Sequence, residues 1–342
     1  MQQRLINRWK SQEGKYLLSE VLSKLSCNKS LDTIKGLEKY AGRWDLRGAP
    51  LSTLKSERKI EGEGTSFTQK YGSLKLKNIH VESIDFSYAD ISYSWWQQCR
   101  VNNCIFEGTK AKELQIYASD FFNCTFRNTS FNYSFLNNNL GKNSGSYKRV
   151  NFIECDLKEC IFSFPEIENC IFENCNLMAT NFDGSRFKHC KFIGKVDSPW
   201  FSGYSTTAQK SIFWIFNRVN PKDYPNLMQN VDFSEADLIG VSFINEIDLS
   251  QCVFPKDDEK YIVVRNLKKV YHTVERLMRE KWDTNELRKG VSLLNNLYFT
   301  KDRQNQNIDF IDKKIMVFSD EKSDFGEKFF SLIKETNKKV NS

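Results

Sequence analysis

The sequence predicts a β-solenoid, short extended stretches wound into stacked coils, with α-helical modules at both ends. Three observations carry this expectation. Large apolar residues recur every five positions: Phe86, Ile91, Trp96, Val101, Phe106, Ala111, Ile116, Phe121, Phe126, Phe131, Leu136, then Phe152 to Phe192 in the same step, then Phe233, Leu238 and Phe243, with a shifted pair at Leu249 and Phe254. A small residue stands two positions earlier, and nine of the ten cysteines (Cys99, Cys104, Cys124, Cys155, Cys160, Cys170, Cys175, Cys190, Cys252) share that slot with Ala89, Ser94, Thr109, Thr180 and Ala236. Beyond residue 256 the period stops and apolar residues take up helical spacing.

A period of five fits neither a helix nor an alternating strand. Two positions of each five face inward across one outward residue, and a corner follows. Corners repeated in one sense wind the chain into coils, which stack at about 4.8 Å through backbone pairing. Columns of large and small side chains then fill the interior, and nearest-neighbour stacking holds the array.

Ala89-Asp90-Ile91-Ser92-Tyr93, Ala236-Asp237-Leu238-Ile239-Gly240 and Cys175-Asn176-Leu177-Met178-Ala179 carry the repeat in its clearest form. On these motifs residues 76–254 resemble the pentapeptide repeat proteins. The resemblance implies a right-handed, four-sided β-helix with four repeats per coil. On that count the repeats make nearly seven coils, a tower about 30 Å long. A coil of 20 residues would place Ala111 one layer on and one corner round from Trp96, so the oversized Trp96 ring is expected to lean into space left by Ala111.

In chain order, residues 1–42 read as a helical cap. Tyr16, Leu17, Val21, Leu22 and Leu25 lie at helical spacing, and Ser30 caps a second helix over residues 31–40 with Ile34 and Leu37 inward. Residues 43–70 give two repeat-like steps, Leu46 and Leu51, and then a polar loop or irregular first coil. Residues 71–256 are the repeat body, with insertions at 137–149 and 193–230. Residues 257–342 form a C-terminal helical module. Val263, Leu267, Val270, Val274 and Leu277 share one face, Asp283-Thr284 starts a second helix, and a third runs from about Asp324. Open ends of a solenoid expose unpaired edges, and the flanking modules are natural caps. Three helices that bury one another's stripes favour a monomer, with a C-terminal dimer as the rival.

The cysteines read as volume-matched filler, not as zinc ligands, disulfides or a nucleophile. No metal and no cofactor is expected. His80, His189 and His272 are far apart, and no P-loop, dinucleotide fingerprint, metalloprotease helix or nucleophile elbow is present. Enzyme activity is therefore not expected. Net charge is +7, but 1–70 carry +6, 71–256 carry −2 and 257–342 carry +3. The excess lies in the flanks, which argues against direct nucleic-acid binding. No signal peptide or membrane span is read, and a cytoplasmic location is expected.

These features point to a non-enzymatic protein-binding scaffold of bacterial type, its protein partner unidentified. The contact candidates lie in the second insertion: Trp200, Phe201, Tyr204, Phe213, Trp214, Phe216, Arg218 and Lys222. An alternative is that the three aromatics from Phe213 to Phe216 fold back as a satellite core. The resemblance also allows a DNA mimic that binds a type II topoisomerase, gyrase or topoisomerase IV. Acidic runs exist (Glu154, Asp156, Glu159, Glu166, Glu168, Glu173, and Asp232, Glu235, Asp237, Glu246, Asp248), but the body as a whole is only −2. A component of a bacterial defence or toxin-immunity system is a third reading.

Overall fold

The structure is a computed structural model, and it describes residues 2–62, 65–140, 142–207, 220–297, 305–314 and 324–342. Every apolar residue of the two long five-residue series, Phe86 to Leu136 and Phe152 to Phe192, faces inward and is no more than 3% exposed. The inward register pairs each coil with the next in parallel, Phe106 opposite Phe126 and Phe152 opposite Phe172. Three sides of the tower are sheets of nine, eight and six described strands. The fourth side is a column of single bridges, Pro50–Asp90–Lys110–Ser130–Asp156–Asn176. The result is a four-sided β-solenoid.

Aromatic columns fill it. Phe86, Phe106, Phe126, Phe152, Phe172 and Phe192 stack at centroid spacings of 4.5–5.2 Å, close to the rise between paired strands. Trp96 is buried among Phe86, Phe106 and Phe121, and its Nε1 donates to Ser94 Oγ at 3.0 Å. Eight of the nine repeat cysteines are buried; Cys252 is half-buried. Cys27, outside the repeat, is exposed at the end of a helix and not on an inward face.

The corners have a chemistry of their own. Every fifth residue from Asn78 to Tyr133 has φ between +45° and +62°. A left-handed residue costs about 1–2 kcal/mol unless it is Gly, or Asn or Asp with local hydrogen bonds. Asn holds several corners and Gly108 another, and no described residue with positive φ is Val, Ile or Thr, the types that tolerate it least.

The breaks in the tower are shorter than expected. Strands Phe135–Asn138 and Ser146–Lys148 belong to it, so the first excursion lies between them, and Tyr147 takes the inward slot opposite Phe121. Asn137 folds inward there and trades hydrogen bonds with the backbone of Ser119. Strands Lys191–Asp197 and Trp200–Ser202 likewise continue two sheets. The second excursion therefore starts beyond Ser202, and the chain regains the tower at Gln229, which bridges Lys188.

The N-terminal module has two helices, α1 (Gln2–Arg8) and α2 (Gln12–Ser26). Ser11 caps α2 by accepting from Gly14 N at 3.0 Å, and a Cβ at Gly14 would meet Arg8 O at 2.1 Å, so only glycine lets α1 and α2 pack this closely. The helix expected over 31–40 shrinks to one 3₁₀ turn, Leu31–Thr33, because the chain turns extended at Ile34 (φ −85°, ψ 110°), although Ile34 and Leu37 are buried as expected. Residues Leu54–Gly62 and Thr65–Gly72 form an antiparallel hairpin in place of a loop.

The C-terminal module is not wholly helical. Tyr261–Arg265 pairs antiparallel with Ile308–Asp312. Alternation divides this two-stranded sheet: Tyr261, Ile308 and Phe310 join the tower core, while Ile262, Val264 and Ile311 join a second core with the helices. Phe310 stacks on Phe254 at 5.2 Å and so extends the phenylalanine column into the cap. Helices α3 (Leu267–Lys281), α4 (Thr284–Leu297) and α5 (Phe325–Asn341) pack behind it. The amide of Asn337 accepts from Arg265 N and donates to Val263 O, closing the free edge of the strand. No described helix is long and apolar enough to cross a membrane.

Candidate functional site

The chemistry that the surface offers starts from how the projecting segments are fixed. Asp183 occupies an outward strand position yet is 2% exposed, because the start of the second excursion folds over it. Its carboxylate accepts from Ser205 Oγ at 2.6 Å, Thr206 N at 2.8 Å and Thr207 Oγ1 at 2.5 Å. A buried carboxylate needs such donors, since desolvation without them costs several kcal/mol. The returning stem is held as firmly. Asn226 Oδ1 accepts from Phe187 N at 3.1 Å, and Tyr224 packs edge-on against buried Phe164 at 5.9 Å. Between the stems Lys222 lies 4.7 Å over the Tyr204 ring and pairs with Glu246 at 3.1 Å.

The expected contact residues separate on this geometry. Trp200 projects from the sheet and is 44% exposed. Tyr204 and Lys222 are brought together at the base of the excursion. Phe201 is fully buried, stacked between Phe182 and Phe243, and is withdrawn as a contact residue: the strand Trp200–Ser202 keeps the inward register, so this Phe fills the column. Phe213, Trp214, Phe216 and Arg218 lie outside the described residues, and so does the satellite core they would form.

Sequence reasoning missed Tyr224 and Leu227, 44% and 48% exposed on the returning stem, and Arg186, which lies under Tyr224 and 4.5 Å over Phe164. Burial lowers the Arg186 pKa, against the pull of Glu166. The two prolines that flank Tyr224 signalled a turn but not an exposed aromatic. A second surface feature was also missed. The hairpin lies against the eight-stranded face through Tyr71, stacked on Trp95, and through Gln69, bonded to Gln115 at 2.6 Å. Beside it a cleft of about 480 Å³ opens over Tyr133, Phe135 and Ile161.

The acidic runs are neutralised in part. Glu166 pairs with Lys148 and Arg186, Glu168 with Lys148 and Lys188, and Asp232 and Glu235 with Lys191. The buried thiols are donors to backbone carbonyls. Cys190 Sγ reaches Ile167 O at 3.2 Å, and Thr109 and Thr180 make the same bond one coil back at 2.9 and 2.8 Å. Burial raises the pKa of Cys99, and that of Cys252 to about 12, the opposite of an activated nucleophile. Among the described residues no group of three His, Cys, Asp or Glu is placed to hold a metal ion.

The family model for pentapeptide repeats matches residues 166–194, in eight copies. No curated protein matches the sequence. Similar solved structures include the pentapeptide repeat protein Rfr23 from the cyanobacterium Cyanothece 51142 (9% identity, 34% of this chain and 89% of that one, TM-score 0.30). HetL, a pentapeptide repeat protein involved in heterocyst differentiation regulation in Nostoc sp. strain PCC 7120, has 11% identity over 53% of this chain and 90% of that one, with TM-score 0.27. Full-length QnrB1, a plasmid-mediated fluoroquinolone resistance protein, has 12% identity over 49% and 84%, with TM-score 0.25. The matched segment, residues 166–194, thus carries the repeat of the pentapeptide repeat proteins, in register with the four stacked sides of the tower.

Proposed function

We propose that this protein is a non-catalytic scaffold that binds a protein partner through the sector where the second excursion leaves the tower. The observation that carries the reading is the pinning of that excursion by buried Asp183 on one stem and by Asn226 and Tyr224 on the other. Side chains held on a rigid frame lose little entropy on binding. Tyr224 and Leu227 are exposed beside Arg186, Lys222 lies over Tyr204, and Trp200 is exposed on the strand that leads into the excursion; Trp, Tyr and Arg dominate binding hot spots. The scaffold acts as a monomer: the stripe of α3 is buried against α4, α5 and the two-stranded sheet, which leaves little of it for a second copy. Ten unpaired thiols suit a reducing, cytoplasmic setting.

The test is affinity capture from the native host with the intact chain, alongside Trp200→Ala and Tyr224→Ala. We expect one protein retained by the wild type, and about tenfold or greater loss in a variant whose melting is unchanged. Retention of no protein, or retention indifferent to both substitutions, would overturn the reading. Recovery of a type II topoisomerase would instead identify mimicry of DNA, against which the paired acids argue.

A further inference from the structure

The hairpin carries an unused strand edge above an apolar floor. Two bonds fix which backbone groups of Thr65–Gly72 point away from its partner strand: Lys70 O accepts from Gln115 Nε2 at 3.0 Å, and Gly72 N donates to Tyr93 O at 2.7 Å. Alternation then places the N–H and C=O of Thr68 and the N–H of Lys70 on that same edge, and no described residue bonds these three groups. The edge borders the cleft floored by Tyr133, Phe135 and Ile161. Tyr133 is 47% exposed, and Phe135 and Ile161 are half-buried although they stand at outward strand positions. At one end of the rim Lys70 and Lys112 share the carboxylate of Glu113 at 3.0 and 3.9 Å; Glu159, which also lines the cleft, is paired with Lys158 at 3.5 Å.

We propose that this cleft takes an extended peptide segment of the partner protein, which adds as a third strand to the hairpin. The proposal rests on the protein-binding reading and names the chemistry of one contact. Backbone pairing with Thr68 and Lys70 supplies the affinity, and alternate side chains supply the specificity. An apolar residue of the segment lies on Phe135 and Ile161. An acidic residue on the same face sits near Lys70 and Lys112, completing the charge that Glu113 balances only in part.

The experiment pans a display library of random linear peptides on the intact chain. Enriched sequences should alternate, with a large apolar residue and a nearby Asp or Glu. For one such synthetic peptide, N-methylation of the single amide that donates to Thr68 O should abolish binding, while methylation of the amides that point away from the edge should not. Lys112→Glu, at an exposed side chain, and Ile161→Lys should each weaken binding by about tenfold or more. Circular dichroism checks that both variants fold, and Lys112→Glu alone decides the matter if Ile161→Lys does not. No enrichment, tolerance of every N-methylation, or indifference to Lys112→Glu would overturn the proposal. Partner capture that survives Lys112→Glu would leave the scaffold standing and remove the cleft from it; failure of the wild-type chain to capture any protein would remove both.

Discussion

Tyr147 should be worth more to this protein without its hydroxyl. Its ring fills the inward slot opposite Phe121, stacked on it at 5.1 Å, with Phe152 and Phe162 edge-on at 5.7 and 5.8 Å. The residue is 1% exposed, and its Oη finds no hydrogen-bond partner among the described residues. Burial drives the phenol pKa well above its ordinary value. An unsatisfied buried hydroxyl costs about 1–3 kcal/mol, while Phe keeps the ring and nearly all of its volume. Tyr147→Phe should therefore raise stability by about 1–3 kcal/mol. The assay is urea unfolding followed by circular dichroism, where the midpoint should rise with the slope unchanged. The reciprocal change, Phe121→Tyr, places an orphan hydroxyl one coil lower and should lower the midpoint. A fall of about 1 kcal/mol or more for Tyr147→Phe would show that the hydroxyl is satisfied, for instance by a trapped water, and would refute the reasoning.

Three further outcomes follow from the same packing. Phe172→Ala removes the middle of a stack with Phe152 and Phe192 at 4.8 Å on each side; a loss of about 3–5 kcal/mol is expected by chemical denaturation. Asp45→Ala strands Arg8 and Arg47, which both bond its carboxylate, and should cost about 1.5–3 kcal/mol, with α1 and α2 becoming the first region to lose amide-exchange protection. Burial raises the Asp45 pKa, but hydrogen bonds from Arg47 and Arg8 outweigh it and leave the value well below the ordinary carboxylate range; this contribution is present above the unfolded pKa and should fade as pH falls below about 4. Three buried or half-buried thiols act in the opposite direction. Burial raises Cys99, Cys160 and Cys252 above the ordinary 9.0, so the unfolded chain ionises first, and the unfolding midpoint should drop steadily as pH rises from about 9.

The tower was legible because its period is redundant. Each of the long runs repeats the same burial decision at every step, so Phe86 or Phe172 could hardly be misplaced. The segments where one residue must decide were not legible. Phe201 looked like a contact because its neighbours Trp200 and Tyr204 are aromatic, but it is the register of Trp200–Ser202 opposite Asn181 and Phe182 that sends it inward. The hairpin at 54–72 reads as a loop or irregular coil because its strands carry few large apolar residues, and what it rests on, Trp95 under Tyr71 and Gln115 beside Gln69, is far away in the sequence. In the C-terminal module, Tyr261–Arg265 ran into the helical stripe that follows it. Its partner, Ile308–Asp312, lies more than forty residues away, and no local pattern reports such a pairing. The Asp183 anchor was invisible for the same reason, since the hydroxyls that satisfy it come from the next coil.

The small slot and the corner explain how so long a ladder stays in register. Burying a short strand leaves carbonyl lone pairs facing the interior, where water cannot reach them. Cys104, Cys124 and Cys190, with Thr109, Thr180 and Ser185, each point a donor at the carbonyl 23 residues earlier, one coil below. Cysteine serves in that slot because it is small, apolar enough to pack and still able to donate weakly. The corner solves a different problem: it must turn the chain at φ near +50°, which keeps β-branched residues out. The outward strand positions and the remaining corner side chains are thus free of the demands that fix the interior. A frame whose interior is determined column by column, and whose surface is left open at every step, can change its partner without changing its fold. That property, more than any single contact, suits this architecture to displaying the anchored excursion and the hairpin edge at set heights along one rod.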